Sequence, residues 1–136
     1  MRYPVVIHKD GESGYGVSVP DLPGCFSAGD TLEEAVESAQ EAIACHLEGL
    51  LMDGEPLPAM QSLETRQASD DYQGGVWALV DVDISKLSSK TKRINVTLPA
   101  RVLAIVDEAA AREGETRSGL LARAALSYVE RQSNGQ

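Results

Sequence analysis

Lys92-Arg93-Ile94-Asn95-Val96-Thr97-Leu98-Pro99 alternates without a break. Ile94, Val96 and Leu98 fall on one face of an extended segment, and Arg93, Asn95 and Thr97 on the other, the period of two expected of a half-buried strand. Pro99 closes the strand and suits the first turn of a helix. Val102, Ile105, Val106 and Ala109 follow at helical spacing, Gly114 ends that helix in a tight turn, and Thr116 is a good N-cap for a second helix. The second helix repeats the stripe with Leu121, Ala124, Ala125 and Tyr128. One strand and two helices in about 40 residues cannot close a sheet or bury both stripes, and a lone strand leaves its backbone N–H and C=O groups unpaired. Pairing with the same strand of a second chain solves both problems. The expectation is therefore a homodimer with Ile94, Val96 and Leu98 of both chains in its core.

A two-stranded ribbon fits the major groove of B-DNA, and Arg93, Asn95 and Thr97 would point outward from it. Arg suits guanine O6/N7, Asn suits adenine N6/N7, and Thr adapts to either. The start of the second helix, with Thr116, Arg117 and Ser118, offers free N–H groups to a phosphate. Taken together, R-I-N-V-T-L-P and E-G-E-T-R-S-G-L-L resemble the ribbon-helix-helix (Arc/MetJ-like) DNA-binding arm along nearly all of residues 92–130.

Working back from this arm, Ser85–Thr91 (SKLSSKT) is small, polar and basic, and reads as a hinge. Before it, Val76–Ile84 reads as a strong strand whose even members (Val76, Ala78, Val80, Val82, Ile84) are all apolar. At the other end, Tyr3–His8 and Tyr15–Val19 flank the turn chemistry of Asp10–Gly14, which predicts a hairpin. Pro20-Asp21-Leu22-Pro23-Gly24 breaks that sheet, and Cys25–Ala28 is a short third strand. A long helix follows, opened by a capping box of Thr31 and Glu34, with Asp30 and Glu33 as an alternative frame. Its apolar stripe is Leu32, Ala35, Val36, Ala39, Ile43, Leu47 and Leu50, and Gly54 and Pro56 end it. Residues 53–75 carry the weakest signal, with a short helix expected around Ser62–Arg66. The order β-β-β-α-(short α)-β implies an α+β front half, an antiparallel sheet with helices on one face.

Tyr15–Ala35 (Y-G-V-S-V-P-D-L-P-G-C-F-S-A-G-D-T-L-E-E-A) with Val76–Asp83 is similar to the HicB antitoxin family. The resemblance covers about residues 2–85. It implies a partial ribonuclease-H-like fold that masks a HicA-type mRNA-cleaving toxin, often joined to a DNA-binding arm. The expected organisation is a toxin-binding domain over residues 1–85, a linker over 86–91, and a ribbon-helix-helix domain for DNA binding and dimerisation over 92–131. The expected function is an antitoxin that neutralises the toxin and represses its own operon on double-stranded operator DNA, as a homodimer or higher oligomer. A ribbon-helix-helix regulator gated by a small ligand is the alternative. For the toxin contact the rigid connection after the second strand is the candidate: Asp21, Leu22, Pro23, Cys25 and Phe26.

Charge agrees with this division. Residues 1–91 carry 5 Lys/Arg against 16 Asp/Glu, a net of −11, and residues 92–136 carry 7 against 5, a net of +2. An acidic front would repel nucleic acid and attract a basic, RNA-cutting partner. Cys25 and Cys45 fit no metal spacing, and with no leader pattern they read as thiols in a reducing cytoplasm. No apolar run reaches the roughly 18–20 residues that span a bilayer. A metal-dependent nuclease would need several converging carboxylates, for which Asp21, Asp30, Asp81 and Asp83 are the candidates. The resemblance implies instead an inactive scaffold, so neither catalysis, a metal nor a cofactor is expected. His8 and His46 have no ligand partner at the right spacing.

Overall fold

The computed structural model describes residues 1–9, 14–58, 60–68, 72–87 and 92–134. Strands β1 (Arg2–Lys9), β2 (Tyr15–Ser18) and β3 (Phe26–Gly29) precede the long helix α1 (Leu32–Met52) and the short helix α2 (Leu63–Gln67). Strand β4 (Val76–Asp81), a 3-10 turn over Ile84–Lys86, and helices α3 (Ala100–Glu113) and α4 (Arg117–Asn134) complete the chain. The four strands form one antiparallel sheet in the order β3-β2-β1-β4. The antiparallel sheet with helices expected of an α+β front half is therefore present. The expected turn between β1 and β2 falls mostly on residues 10–13, outside the described residues.

Strand β1 is the hydrophobic axis, with Tyr3, Pro4, Val5, Val6 and Ile7 all buried. Tyr3, Val5 and Ile7 join Val17, Val80 and the α1 residues Ala35, Ala39, Ile43 and Leu47 in one core. Alanines at two of those four helix positions let α1 lie close to the sheet, and a Cβ on Gly29 would collide with the backbone of Ala35. A proline in a paired strand normally removes a ladder bond. Pro4 escapes this because the β1–β2 ladder stops at Val6↔Ser18, where β2 has already ended.

Helix α1 starts as its capping box dictates: the Thr31 side chain accepts from Glu34 N–H at 3.1 Å, and the Glu34 carboxylate accepts from Asp30 N–H at 3.2 Å. Leu32 departs from the expected stripe and is 47% exposed. Two further expectations need correction. Strand β4 ends at Asp81, not at Ile84, because the Asp83 side chain accepts from Ser85 N–H and turns the chain into a 3-10 turn. Val82 and Ile84 stay buried through that turn, which keeps the apolar alternation running past the strand's end; Val76, at the other end, is 66% exposed. The start of the expected hinge is also packed, since Leu87 is buried in the core. Residues 88–91 lie outside the described residues.

The arm packs against the front half. Ala122 of α4 joins the core, and α4 lies against the 3-10 turn. Gly114 ends α3 in the left-handed conformation (φ 68°), with Glu115 N–H donating to Ala110 C=O at 2.8 Å.

Candidate partner and nucleic-acid interfaces

Residues 92–99 form no strand with any of the described residues of their own chain. Arg93, Asn95 and Thr97 are exposed. Ile94 is also 76% and Val96 62% exposed, while Leu98 is half-buried. Apolar exposure continues on the helices at Val102, Ile105 and Tyr128. Helix α4 thus has two faces. Gly119, Ala122 and Arg123 look toward the front half, whereas Ala124, Ala125 and Tyr128 are exposed.

The start of α4 is occupied by protein. Thr116 caps the helix by accepting from Gly119 N–H at 2.9 Å, and its hydroxyl donates to the Asp83 carboxylate at 2.9 Å. Partial burial opposes ionisation of Asp83, but the hydrogen bonds from Ser85 and Thr116 outweigh it and hold the carboxyl below its usual range. Arg117 makes a two-bond pair with Asp107 of α3, 2.8 Å for each bond. Of the three residues expected at a phosphate, Thr116 and Arg117 therefore already have carboxylate partners; Ser118 is exposed.

A buried charge cluster lies behind this contact. Glu115, its side chain 3% exposed, accepts from Arg123 Nε at 3.0 Å, and its Oε2 accepts no hydrogen bond from the described residues but sits 3.5 Å from the Met1 amino group. Desolvation would raise the Glu115 carboxyl; the Arg123 hydrogen bond and the neighbouring positive charges lower it overall. Nearby, burial and then the Asp21 carboxylate push the Tyr3 phenol up to about 12, so it stays neutral.

The connection after β2 is organised from the inside. Asp21 is buried and accepts from Arg66 Nε at 3.0 Å and from Gln61 N–H at 3.3 Å. Leu22 is fully buried and Cys25 nearly so, burial raising the Cys25 thiol. These three of the five residues expected to touch a toxin are thus withdrawn from the surface, and only Pro23 and Phe26 are presented, Phe26 at 68% exposure. The four carboxylates considered for a nuclease are likewise dispersed. Asp21 pairs with Arg66, Asp81 lies 3.3 Å from Arg2, Asp83 holds Thr116, and Asp30 stands at the start of α1. Among the described residues no three His, Cys, Asp or Glu side chains converge as a metal site, and no helix is long and apolar enough to cross a membrane.

Sequence reasoning missed the Asp83–Thr116 and Asp21–Arg66 contacts, which join residues 33 and 45 positions apart. Periodicity carries no signal for such pairs.

Comparison with known proteins gives these geometries a context. The family model described as "HicB_like antitoxin of bacterial toxin-antitoxin system" matches residues 3–125. An uncharacterized 14.9 kDa protein of Haemophilus phage HP1 is 45% identical over 131 residues, 95% of this chain and 98% of its own. Among solved structures, the Burkholderia pseudomallei antitoxin HicB superposes with a TM-score of 0.73 at 48% identity, covering 93% of this chain and 96% of that one. A chain of the HicA3 and HicB3 toxin-antitoxin complex gives a TM-score of 0.52 at 37% identity, covering 61% and 99%.

Proposed function

The chain belongs to the HicB-like antitoxins of bacterial toxin-antitoxin systems, and from that premise we propose that it has two jobs in the cytoplasm. Its front half, residues 1–85, masks a HicA-type mRNA-cleaving toxin. Its arm, residues 92–131, pairs with a second copy as a ribbon-helix-helix domain and represses the chain's own operon. Residues 86–91 join the two. A solved complex of relatives, described as HicA3 with HicB3, supports the choice of partner. The β-β-β-α order and the packing of α1 on the sheet agree with a partial ribonuclease-H-like front, although β4 runs antiparallel to β1.

The observation that carries the DNA reading is the segment 92–98, alternating in sequence, exposed over residues 92–97 and without a partner strand among the described residues of its own chain. Exposed Ile94 and Val96 need a cover, and the same segment of a second copy supplies both apolar contact and backbone partners. The resulting ribbon presents Arg93, Asn95 and Thr97 of each chain to base edges, while Thr116, Arg117 and Ser118 lie at the helix start that faces phosphate. Binding here involves no chemistry: phosphate contacts set the register and side chains read sequence.

The test is the double substitution Arg93→Ala with Asn95→Ala. A good bidentate base contact contributes about 1–3 kcal/mol of discrimination, so the variant should lose operator binding in a mobility shift and still neutralise the toxin in cells. Operator affinity equal to that of the unsubstituted chain would overturn the DNA reading.

A further inference from the structure

Strand β4 is an edge of the sheet and, among the described residues, has no partner strand on its outer side. Its hydrogen-bonding phase follows from Val82 N–H, which donates to Met1 C=O at 2.8 Å. In an antiparallel ladder that phase turns the even residues of β4 toward β1 and directs the N–H and C=O of Trp77, Leu79 and Asp81 away from the sheet. Gln40 of α1 confirms the direction, because its side-chain amide donates to the outward Asp81 C=O at 2.7 Å. Natural edges are normally guarded by Lys, Pro, a bulge or a covering segment. Val76-Trp77-Ala78-Leu79-Val80-Asp81 has no Lys and no Pro, and among the described residues Gln40 caps one end. The opposite edge, β3, has only four residues, Phe26–Gly29.

Along the open edge runs a groove of about 530 Å³ between α1 and β4. Leu32, Val36 and Leu79 give it an apolar lining, with Leu32 and Leu79 each about half exposed. Glu33 and Glu37 stand on its helical wall and Asp81 at its end, and among the described residues no Lys or Arg lines it. The exposure of Leu32, unexplained by the core, belongs to this groove.

We infer that the toxin docks here, adding a strand to β4 by pairing with the outward groups of Trp77 and Leu79. One apolar side chain of the toxin seats between Leu32, Val36 and Leu79, and Lys or Arg beside it meet Glu33 and Glu37. Strand addition takes affinity from main-chain bonds and specificity from flanking pockets. The charge decides between occupants. A second copy placed edge to edge would bring Glu33, Glu37 and Asp81 toward their own equivalents, whereas a protein that handles RNA presents a basic surface. The inference rests on the antitoxin reading above.

The test uses the full chain and the purified toxin encoded beside it. Leu32→Lys, and separately Glu33→Lys with Glu37→Lys, should weaken toxin binding on the order of a hundredfold by calorimetry, with operator binding retained. Glu41→Lys with Glu48→Lys, charge-matched on the same helix but outside the groove, should change it by only a few-fold. In hydrogen exchange, the amides of Trp77 and Leu79 should slow when toxin is added. Equal losses in the groove and control variants, or unchanged exchange at Trp77 and Leu79 in a formed complex, overturn the docking site while leaving the antitoxin reading intact. Groove substitutions that instead lower the oligomeric state with toxin affinity unchanged overturn it in favour of a second copy. An unsubstituted chain that fails to bind the toxin removes both readings together.

Discussion

Asp83 accepts from the backbone N–H and hydroxyl of Ser85 and from the hydroxyl of Thr116, so its carboxylate ties the end of the front sheet to the start of α4. Asp83→Ala should therefore destabilise the chain by about 1–2 kcal/mol in urea unfolding, the range expected for losing a few net hydrogen bonds to a charged group. The pH dependence has a definite sign. The Asp83 and Glu115 carboxyls are both held below their ordinary values in the fold. Their contribution is complete above the unfolded-state values, near pH 4, and is lost as pH falls through the lower folded values. Urea midpoints taken from pH 7 down to pH 3 should fall in that acid window, and less steeply for Asp83→Asn. Operator binding should move the other way. A carboxylate at a helix start competes with a phosphate, and Asp83→Asn removes that charge, so this variant should bind operator a few-fold more tightly. Weaker operator binding by Asp83→Asn would mean that the Thr116 end of α4 stays away from the backbone.

Elements with local causes are predictable, and their substitutions have local costs. The N-terminus of α1 depends on Thr31, whose oxygen meets Glu34 N–H; Thr31→Ala should cost about 1 kcal/mol by thermal or urea unfolding. Gly114 adopts φ 68° between α3 and α4, and a Cβ there would also collide with the Arg2 guanidinium. Gly114→Ala should cost about 1–2 kcal/mol and disturb the arm's seat on the front half. Both features are legible in the amino-acid order because a cap and a helix-ending glycine are written within a few residues of where they act. The strand nature of Val76–Asp81 is legible for the same reason, but its end is not. Val82 and Ile84 continue the alternation, and only Asp83 bending back on Ser85 stops the ladder. The connection at Pro20–Gly24 misleads more deeply. Two prolines and a glycine mark a turn correctly, yet Arg66 draws Asp21 inward from far along the chain, and Leu22 and Cys25 follow it into the core. The surface left beside that turn is Pro23 and Phe26. The open β4 edge can be read only once the strand order is known, since edge position is a property of the whole sheet.

At the scale of the whole molecule, two requirements meet at the arm. Helix α4 is anchored to its own front half through Ala122, Glu115 and Thr116, while Ile94, Val96, Val102 and Ile105 remain uncovered. Burying a Val or Ile side chain is worth about 1.5–3 kcal/mol, and a two-fold pairing gains each contact twice. On the proposed pairing this burial offsets the cost of association, and the unfolding temperature should rise with protein concentration, as it does for any state stabilised by association. The double substitution Ile94→Lys with Val96→Lys should give a monomer by light scattering while leaving the front sheet folded, because neither side chain touches the core. The same variant should lose operator binding, since a single strand offers no ribbon to the groove, yet it should retain the toxin, whose proposed edge lies on β4. The net charge of −9 makes the distribution of charge decisive. The proposed DNA binding would rest on the few basic groups of the arm and should weaken steeply with added salt. A dimer that forms through residues 92–98 but binds operator with no salt dependence would contradict the phosphate contacts, and a doubly substituted chain that stays dimeric would contradict the ribbon itself.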